Sequence, residues 1–217
     1  MRLPVIKIKN GTEKLSSHSG LILIGRLLAS LDLEKHLSEI PGARCTDPDF
    51  SNADIISTMV GLIAIGKPDF DAIEYFRKDP VFLVQSLGLS GCPSSPTLRQ
   101  RLNHIGRAAD AILKERNAAL VRMKAPKLTS IKTGCGNFLP LDIDVSPFDN
   151  SNTKKEGVSW TYKKLAGFAP ILAYLGREGY LVNLELREGR QHCQNGTPDF
   201  LKETLGIVRQ ITTDSIL

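Results

Sequence analysis

No stretch of this chain approaches the ~20 consecutive apolar residues that cross a bilayer. The strongest candidate, Leu21 to Leu33, is interrupted by Arg26, Ser30 and Asp32 and reads as a core helix. Met1 to Gly11 alternates, with Val5, Lys7 and Lys9, and lacks a signal-peptide core. The two Asn-x-Thr triplets, at Asn10 and Asn195, therefore carry no weight as glycosylation sites, and a cytoplasmic protein is expected. The cysteines (Cys45, Cys92, Cys135 and Cys193) form no CxxC pair, and His192-Cys193 has no second half. This excludes a close-paired zinc site and favours scattered reduced thiols. GxSxG, HExxH, P-loop and GxGxxG motifs are missing, as are repeats and low-complexity tracts.

What remains is an ordinary globular composition, 41% apolar and 24% charged over 217 residues, enough for one large domain or two small ones. The net charge of +5 is uneven. Residues 1–134 carry 19 Lys/Arg against 13 Asp/Glu, and residues 135–217 carry 9 against 10. Nine basic residues fall between Arg99 and Lys132, opposed only by Asp110 and Glu115. Such density attracts phosphate backbones, with Arg99, Arg101 and Arg107 as the leading candidates; a solvated helix face explains the charge equally well.

Periodicity divides the chain in the same place. Leu21–Leu37 has helical spacing, and Pro41–Asp49 is a turn-rich loop. Ser51 and Asp54 make a capping box for a second, largely buried helix that Gly66 and Pro68 stop. Asp69 can cap a short third helix, and Phe82–Leu87 is a further apolar element. Ser95-Pro96 starts a long amphipathic helix, from Leu98 to Met123, that ends before Pro126.

From Phe138 the period becomes two: Phe138–Val145, Phe168–Leu175 and Tyr180–Leu186 read as strands, and Thr197-Pro198 caps a helix through Val208. The expected fold class is α+β: an all-helical, basic domain over 1–134, then three strands and a helix over 135–217.

Asp142 and Asp144 stand two apart on one strand, so their side chains share a face about 6.5–7 Å apart, while Leu141, Ile143 and Val145 face the other way. Carboxylates on a rigid strand suit Mg²⁺ or Mn²⁺. The alternative is an edge strand with its acidic face in water. A glycosidase-type acid pair fits less well, because those carboxylates flank a bond from opposite sides. Trp160 and Tyr162 also share a face, beside Lys163 and Lys164. Core packing is the expectation for them, with base stacking as the alternative.

Several stretches, taken in order, resemble the bacterial insertion-sequence transposases of DDE group 1. They are Leu141-Asp142-Ile143-Asp144-Val145-Ser146; Lys154-Lys155-Glu156-Gly157; Gly167-Phe168-Ala169-Pro170; Glu185 to His192; and Asn195-Gly196. Ser16 to Leu21, Gly66-Lys67-Pro68-Asp69, Asp79-Pro80 and Pro93 to Leu98 are similar to the family's N-terminal part. The resemblance implies an RNase H-like fold, of which this chain holds three antiparallel strands and a helix, the remaining strands being absent.

It also implies Mg²⁺- or Mn²⁺-dependent DNA strand cleavage and strand transfer, with transposon ends and target DNA as partners, and a homo-oligomer when complete. Asp144, with Ser146, matches the family's first catalytic and metal-binding acid; Asp142 is the runner-up. Lys154 and Lys155 fall in a loop expected to touch DNA; Arg187 and His192 lie in the loop after the third strand and either touch DNA phosphate or serve as a turn-stabilising Arg and a surface His. Arg190 stands where the family often has Asn, and Lys155 where it has Gln. Asp214 precedes the apolar core of its strand and is rejected as the second acid. That acid is expected a few residues beyond Leu217, with the Glu further on. The 217 residues thus read as an N-terminal portion of a transposase, or alternatively as a catalytically inactive DNA-binding fragment.

Overall fold

The computed structural model describes residue 11 and residues 17–40, 48–125 and 127–217. The alternation read over 1–10, the loop read over 41–47, Ser16 and the Pro126 stop lie outside them. The fold class is α+β, a helical region followed by antiparallel sheets. Among the described residues no helix is long and apolar enough to cross a membrane.

The helices are α1 (Leu21–Ala29), α2 (Leu33–Leu37), α3 (Asn52–Ala64), α4 (Ile73–Arg77), α5 (Val81–Leu87), α6 (Ser95–Ile105) and α7 (Asp110–Lys124). Two expected helices are each split. Asp32, at φ +50°, separates α1 from α2, and Gly106, at φ +24°, separates α6 from α7. An L side chain rarely adopts the backbone that Gly106 takes, so the hydrophobic spacing runs on through a break that one glycine makes. Of the expected caps, those of Ser51 and Asp69 are present; before α6 it is Ser94, not Ser95, that accepts from the Thr97 amide, at 3.3 Å, and the helix opening at Thr197 follows Gly196 with no side-chain cap. The Ser51 hydroxyl accepts from the Asp54 amide and Asp54 Oδ2 from the Ser51 amide, both at 3.1 Å. Asp69 Oδ1 accepts from the Ala72 amide at 2.9 Å.

The strands are β1 (Ile131–Thr133), β2 (Gly136–Phe138), β3 (Leu141–Val145), β4 (Phe148–Asp149), β5 (Ser159–Trp160), β6 (Ala166–Phe168), β7 (Ile171–Leu175) and β8 (Tyr180–Glu185), followed by α8 (Thr197–Ile211). The first two form a hairpin; β3, β7 and β8 form an antiparallel sheet in the order β3-β7-β8; β4, β6 and β5 form a second small sheet. Pro140 and Pro170 lie between consecutive strands where the sequence suggested continuous ones, because proline brings no amide to a ladder.

The described residues of Met1–Glu34 and Pro41–His104 form one compact unit, and those of Lys35–Ile40 and Ile105–Leu217 form another. This division lies upstream of residue 134 because α7 packs on β8 and α8. Asn117 Nδ2 donates to the Leu181 carbonyl at 2.9 Å, and Lys114 bridges to Glu203 at 3.1 Å. The core of the second unit gathers Ala118, Leu139, Ile171, Ala173, Phe200 and Val208, with Leu141, Ile143 and Val145 against it. Complete burial of a side chain such as Phe200 contributes about 1.5–3 kcal/mol. The odd-numbered residues of β3 therefore fix its orientation and turn Asp142 and Asp144 outward.

After α8 the chain returns to β3. Leu139 and Ile216 form a parallel bridge. The Leu139 amide donates to the Ser215 carbonyl at 2.8 Å, the Leu217 amide to the Leu139 carbonyl at 3.0 Å, and the Leu141 amide to the Leu217 carbonyl at 2.9 Å. Three antiparallel strands, a helix and the first pairing of a parallel strand beside β3 follow in the order expected of an RNase H-like domain.

Candidate active site

The even positions of β3 carry the carboxylates. Asp142 lies across from Tyr174 and Asp144 from Leu172, and both acids are exposed. The Ser146 hydroxyl donates to Asp144 Oδ2 at 3.0 Å. The two acids differ in what lies in front of them. Asp144 lines a groove of about 780 Å³ together with Trp160, Tyr162, Arg190, His192 and Gln194; Asp142 does not.

The groove wall is the loop after β8. Gly189 lets it approach the small sheet: a Cβ there would stand 2.2 Å from the Ser159 carbonyl oxygen and 2.4 Å from that of Gly167. The Arg190 amide donates to the Ser159 hydroxyl at 2.9 Å, and the Arg190 side chain pairs with Glu188 at 3.0 Å. His192 Nδ1 accepts from the Gln194 amide at 3.2 Å, so in the neutral ring Nε2 carries the hydrogen. His192 is exposed.

Arg187 departs from the DNA-contact reading and fits the turn-stabilising one. It is buried, donating to Glu185 at 2.8 Å and to the Thr197 hydroxyl at 3.1 Å, with its guanidinium 5.7 Å from the Phe200 ring centre. Thr197 in turn donates to the Cys193 carbonyl. Arg187 thus ties the loop to the start of α8 instead of facing solvent.

Arg101 departs in the same way. It is buried and donates to the Phe50 carbonyl at 2.6 Å and to Asn52 Oδ1 at 2.8 Å, anchoring the start of α3. Arg99 is exposed and lies over the Phe70 ring at 5.0 Å, and Arg107 is exposed. Lys114 and Arg116, from the same basic run, are held by Asp110, Glu203, Glu115 and His36. Arg99 belongs to the first compact unit and Arg107 to the second, so the run is not one continuous helix face. Lys154 and Lys155 are exposed between β4 and β5 and do not line the groove.

The aromatic pair corrects another expectation. Trp160 is 69% and Tyr162 65% exposed; neither is core. Thr161, between them, is the buried residue, bonded through its amide and hydroxyl to the Leu165 carbonyl. Lys164 then turns at φ +58°. A small residue that satisfies its own hydroxyl can take the inward position at a sheet edge. Hydrophobicity alone assigns that position to the aromatics.

A hard divalent cation requires oxygen ligands. Asp144 offers one carboxylate of that kind, oriented by Ser146. Among the described residues no group of three His, Cys, Asp or Glu side chains converges to complete a metal site. The donor chemistry fits and the donor count is partial.

A family model described as the transposase DDE domain, group 1, matches residues 2–216. No curated protein and no solved structure matches the chain.

Proposed function

The chain belongs to the DDE group 1 transposase family, and from that premise we propose that Asp144 is the first metal-binding acid of a DNA strand-cleavage and strand-transfer site. DNA is the substrate class of that family, and its members use divalent metal ions. The observation that carries the assignment is the difference between the two acids: Asp144 opens on the groove and Asp142 does not. The parallel pairing of residues 215–217 beside β3 supports it, because the strand next to Asp144 is the one from which a second carboxylate can reach the same ion.

Mg²⁺ or Mn²⁺ held there supplies Lewis-acid activation of the attacking oxygen and stabilises the leaving one. The protein's own part is positional. β3 is pinned by its apolar face, so the Asp144 carboxylate is held on a rigid element. Ser146 donates to one oxygen of the Asp144 carboxylate, Oδ2, and orients the group. Exposed Arg99, Arg107, Lys154, Lys155, Arg190 and His192 are available to phosphates. Arg101 and Arg187 act on the fold.

The 217 residues by themselves are proposed to bind DNA without cutting it, since a single carboxylate at the groove does not make a two-metal site. The experiment is a supercoiled-plasmid nicking assay with Mg²⁺ and with Mn²⁺, alongside a mobility-shift titration in low and high salt. The expected result is salt-sensitive binding and no nicking. Metal-dependent nicking that is lost in Asp144→Ala would overturn the inertness and keep the site. Failure to bind DNA in low salt would overturn the DNA-binding reading.

A further inference from the structure

The groove beside Asp144 contains more than a metal-binding strand requires. Two aromatic rings stand largely in solvent on either side of buried Thr161. Tryptophan and tyrosine usually bury most of their surface, and a pair left open on one wall of a groove marks a binding surface. The pair is also held in place. The Tyr162 hydroxyl donates to the Val145 carbonyl at 3.0 Å, and Val145 is the residue after Asp144 on β3. Trp160 is paired in β5 opposite Ala166. The Tyr162 ring therefore loses little freedom when something stacks on it, and Trp160 projects from a paired backbone.

The surroundings narrow what that partner is. Lys163 Nζ lies 5.9 Å from the centre of the Tyr162 ring, and Lys163 and Lys164 are exposed beside it. Arg190 is highly exposed and lines the same groove, with Gln191, His192 and Gln194. Flat apolar faces, amide and imidazole groups, and cations at the margin suit a heterocycle joined to a phosphate backbone. The volume, about 780 Å³, lies within the ~300–1,000 Å³ of sites that enclose a small planar ligand. A base inside a duplex has both faces covered by its neighbours and cannot stack on a side chain. A single strand or an extruded nucleotide can, and such stacking tolerates any base.

We infer that the groove takes an unpaired nucleobase of the DNA strand lying at Asp144, stacked on Trp160 and Tyr162. This rests on the DNA-cleavage reading and adds to it the state of the substrate: the strand enters the site locally unpaired.

Trp160 is the only tryptophan, so its emission reports on this wall alone. The test titrates the full chain, in Mg²⁺ and at one ionic strength, with a mixed-sequence single-stranded 15-mer and with the same sequence as a duplex. The single strand is expected to quench Trp160, and the duplex to bind with little quenching. With end-labelled DNA read by anisotropy, Trp160→Ala and Tyr162→Leu are each expected to weaken single-strand binding about 5- to 150-fold, the range for one base-on-aromatic stack, and to leave duplex binding unchanged. Tyr162→Phe keeps the ring and is expected to retain most of the affinity. Equal quenching by both DNAs, or unchanged single-strand affinity in both variants while DNA still binds, overturns the stacking site and leaves the cleavage reading standing. Loss of both DNA forms from the unaltered chain overturns the two together. Weakening of duplex and single strand alike in Trp160→Ala overturns the preference for unpaired bases.

Discussion

Ile216 sits level with Leu139 in a parallel pairing. Asp144 lies five residues past Leu139, so on any continuation of that strand the fourth residue after Leu217 stands level with Asp144 and on the same face. Neighbouring strands are about 4.8 Å apart, a spacing at which two carboxylates can share a cation. Asp214 lies in a bend two residues before Ile216, on the far side of the Leu139 pairing from Asp144. Asp214→Asn is therefore expected to leave divalent-metal binding unchanged and to alter unfolding free energy by less than about 0.5 kcal/mol. Urea titration and a Mn²⁺ titration check both halves.

Arg187 and Arg107 belong to one list in the sequence and to different roles in the fold. Arg187→Ala removes two hydrogen bonds and the contact with Phe200, and is expected to cost the second unit about 2–4 kcal/mol in urea unfolding. Arg107→Ala is expected to cost almost nothing in stability. It should weaken DNA binding and reduce the slope of log K against log salt by about 1. An unchanged salt slope would remove Arg107 from the DNA contacts.

Gly189 admits no side chain. Alanine there places a methyl group 2.2 Å from the Ser159 oxygen, so the groove loop must move away from the small sheet. Gly189→Ala is expected to destabilise by about 1–3 kcal/mol and to shift the Trp160 emission, since Trp160 follows Ser159. Thermal unfolding and the emission maximum are the measurements; wild-type values in both would show that the loop is not clamped there.

The contact between α7 and α8 is sensitive to acid. Burial alone would raise the Glu203 carboxyl, but hydrogen bonds from Asn183 and Lys114 and the Lys114 charge outweigh it, and the group is held below its ordinary value. A depressed carboxylate contributes stability above its unfolded pKa, about 4.3, and loses it as pH falls through the lower folded value. Glu203 is about half exposed, so screening limits the contribution to about 1 kcal/mol or less. The difference in unfolding free energy between wild type and Glu203→Gln is expected to be constant above pH 5 and to shrink below pH 4. A difference independent of pH would assign the contact to packing.

Much of this was legible in the residues. The Ser51–Asp54 box, the Asp69 cap, the alternation that turns Asp142 and Asp144 outward and the start of α8 all depend on local chemistry, and all are present. The breaks at Asp32, Gly106, Pro140 and Pro170 were harder to see because the hydrophobic pattern continues across them. The β1–β2 hairpin was missed; its strands are three residues each, too short for a period to register. Arg101 and Arg187 look like surface cations until partners 49 residues away or across a turn come into reach. Hydrophobicity favours the core for Trp160 and Tyr162, with base stacking as the alternative, and Thr161 takes the inward position instead.

The central claim is that Asp144, and not Asp142, is the metal-binding acid on β3. Mn²⁺ titrated into ¹⁵N-labelled protein broadens the amide resonances of residues close to the bound ion, even when affinity is weak. Broadening is expected to centre on Asp144, Val145, Tyr162 and His192, to be abolished by Asp144→Asn and to be retained in Asp142→Asn. Broadening centred on Asp142 and Tyr174 that survives Asp144→Asn would contradict it.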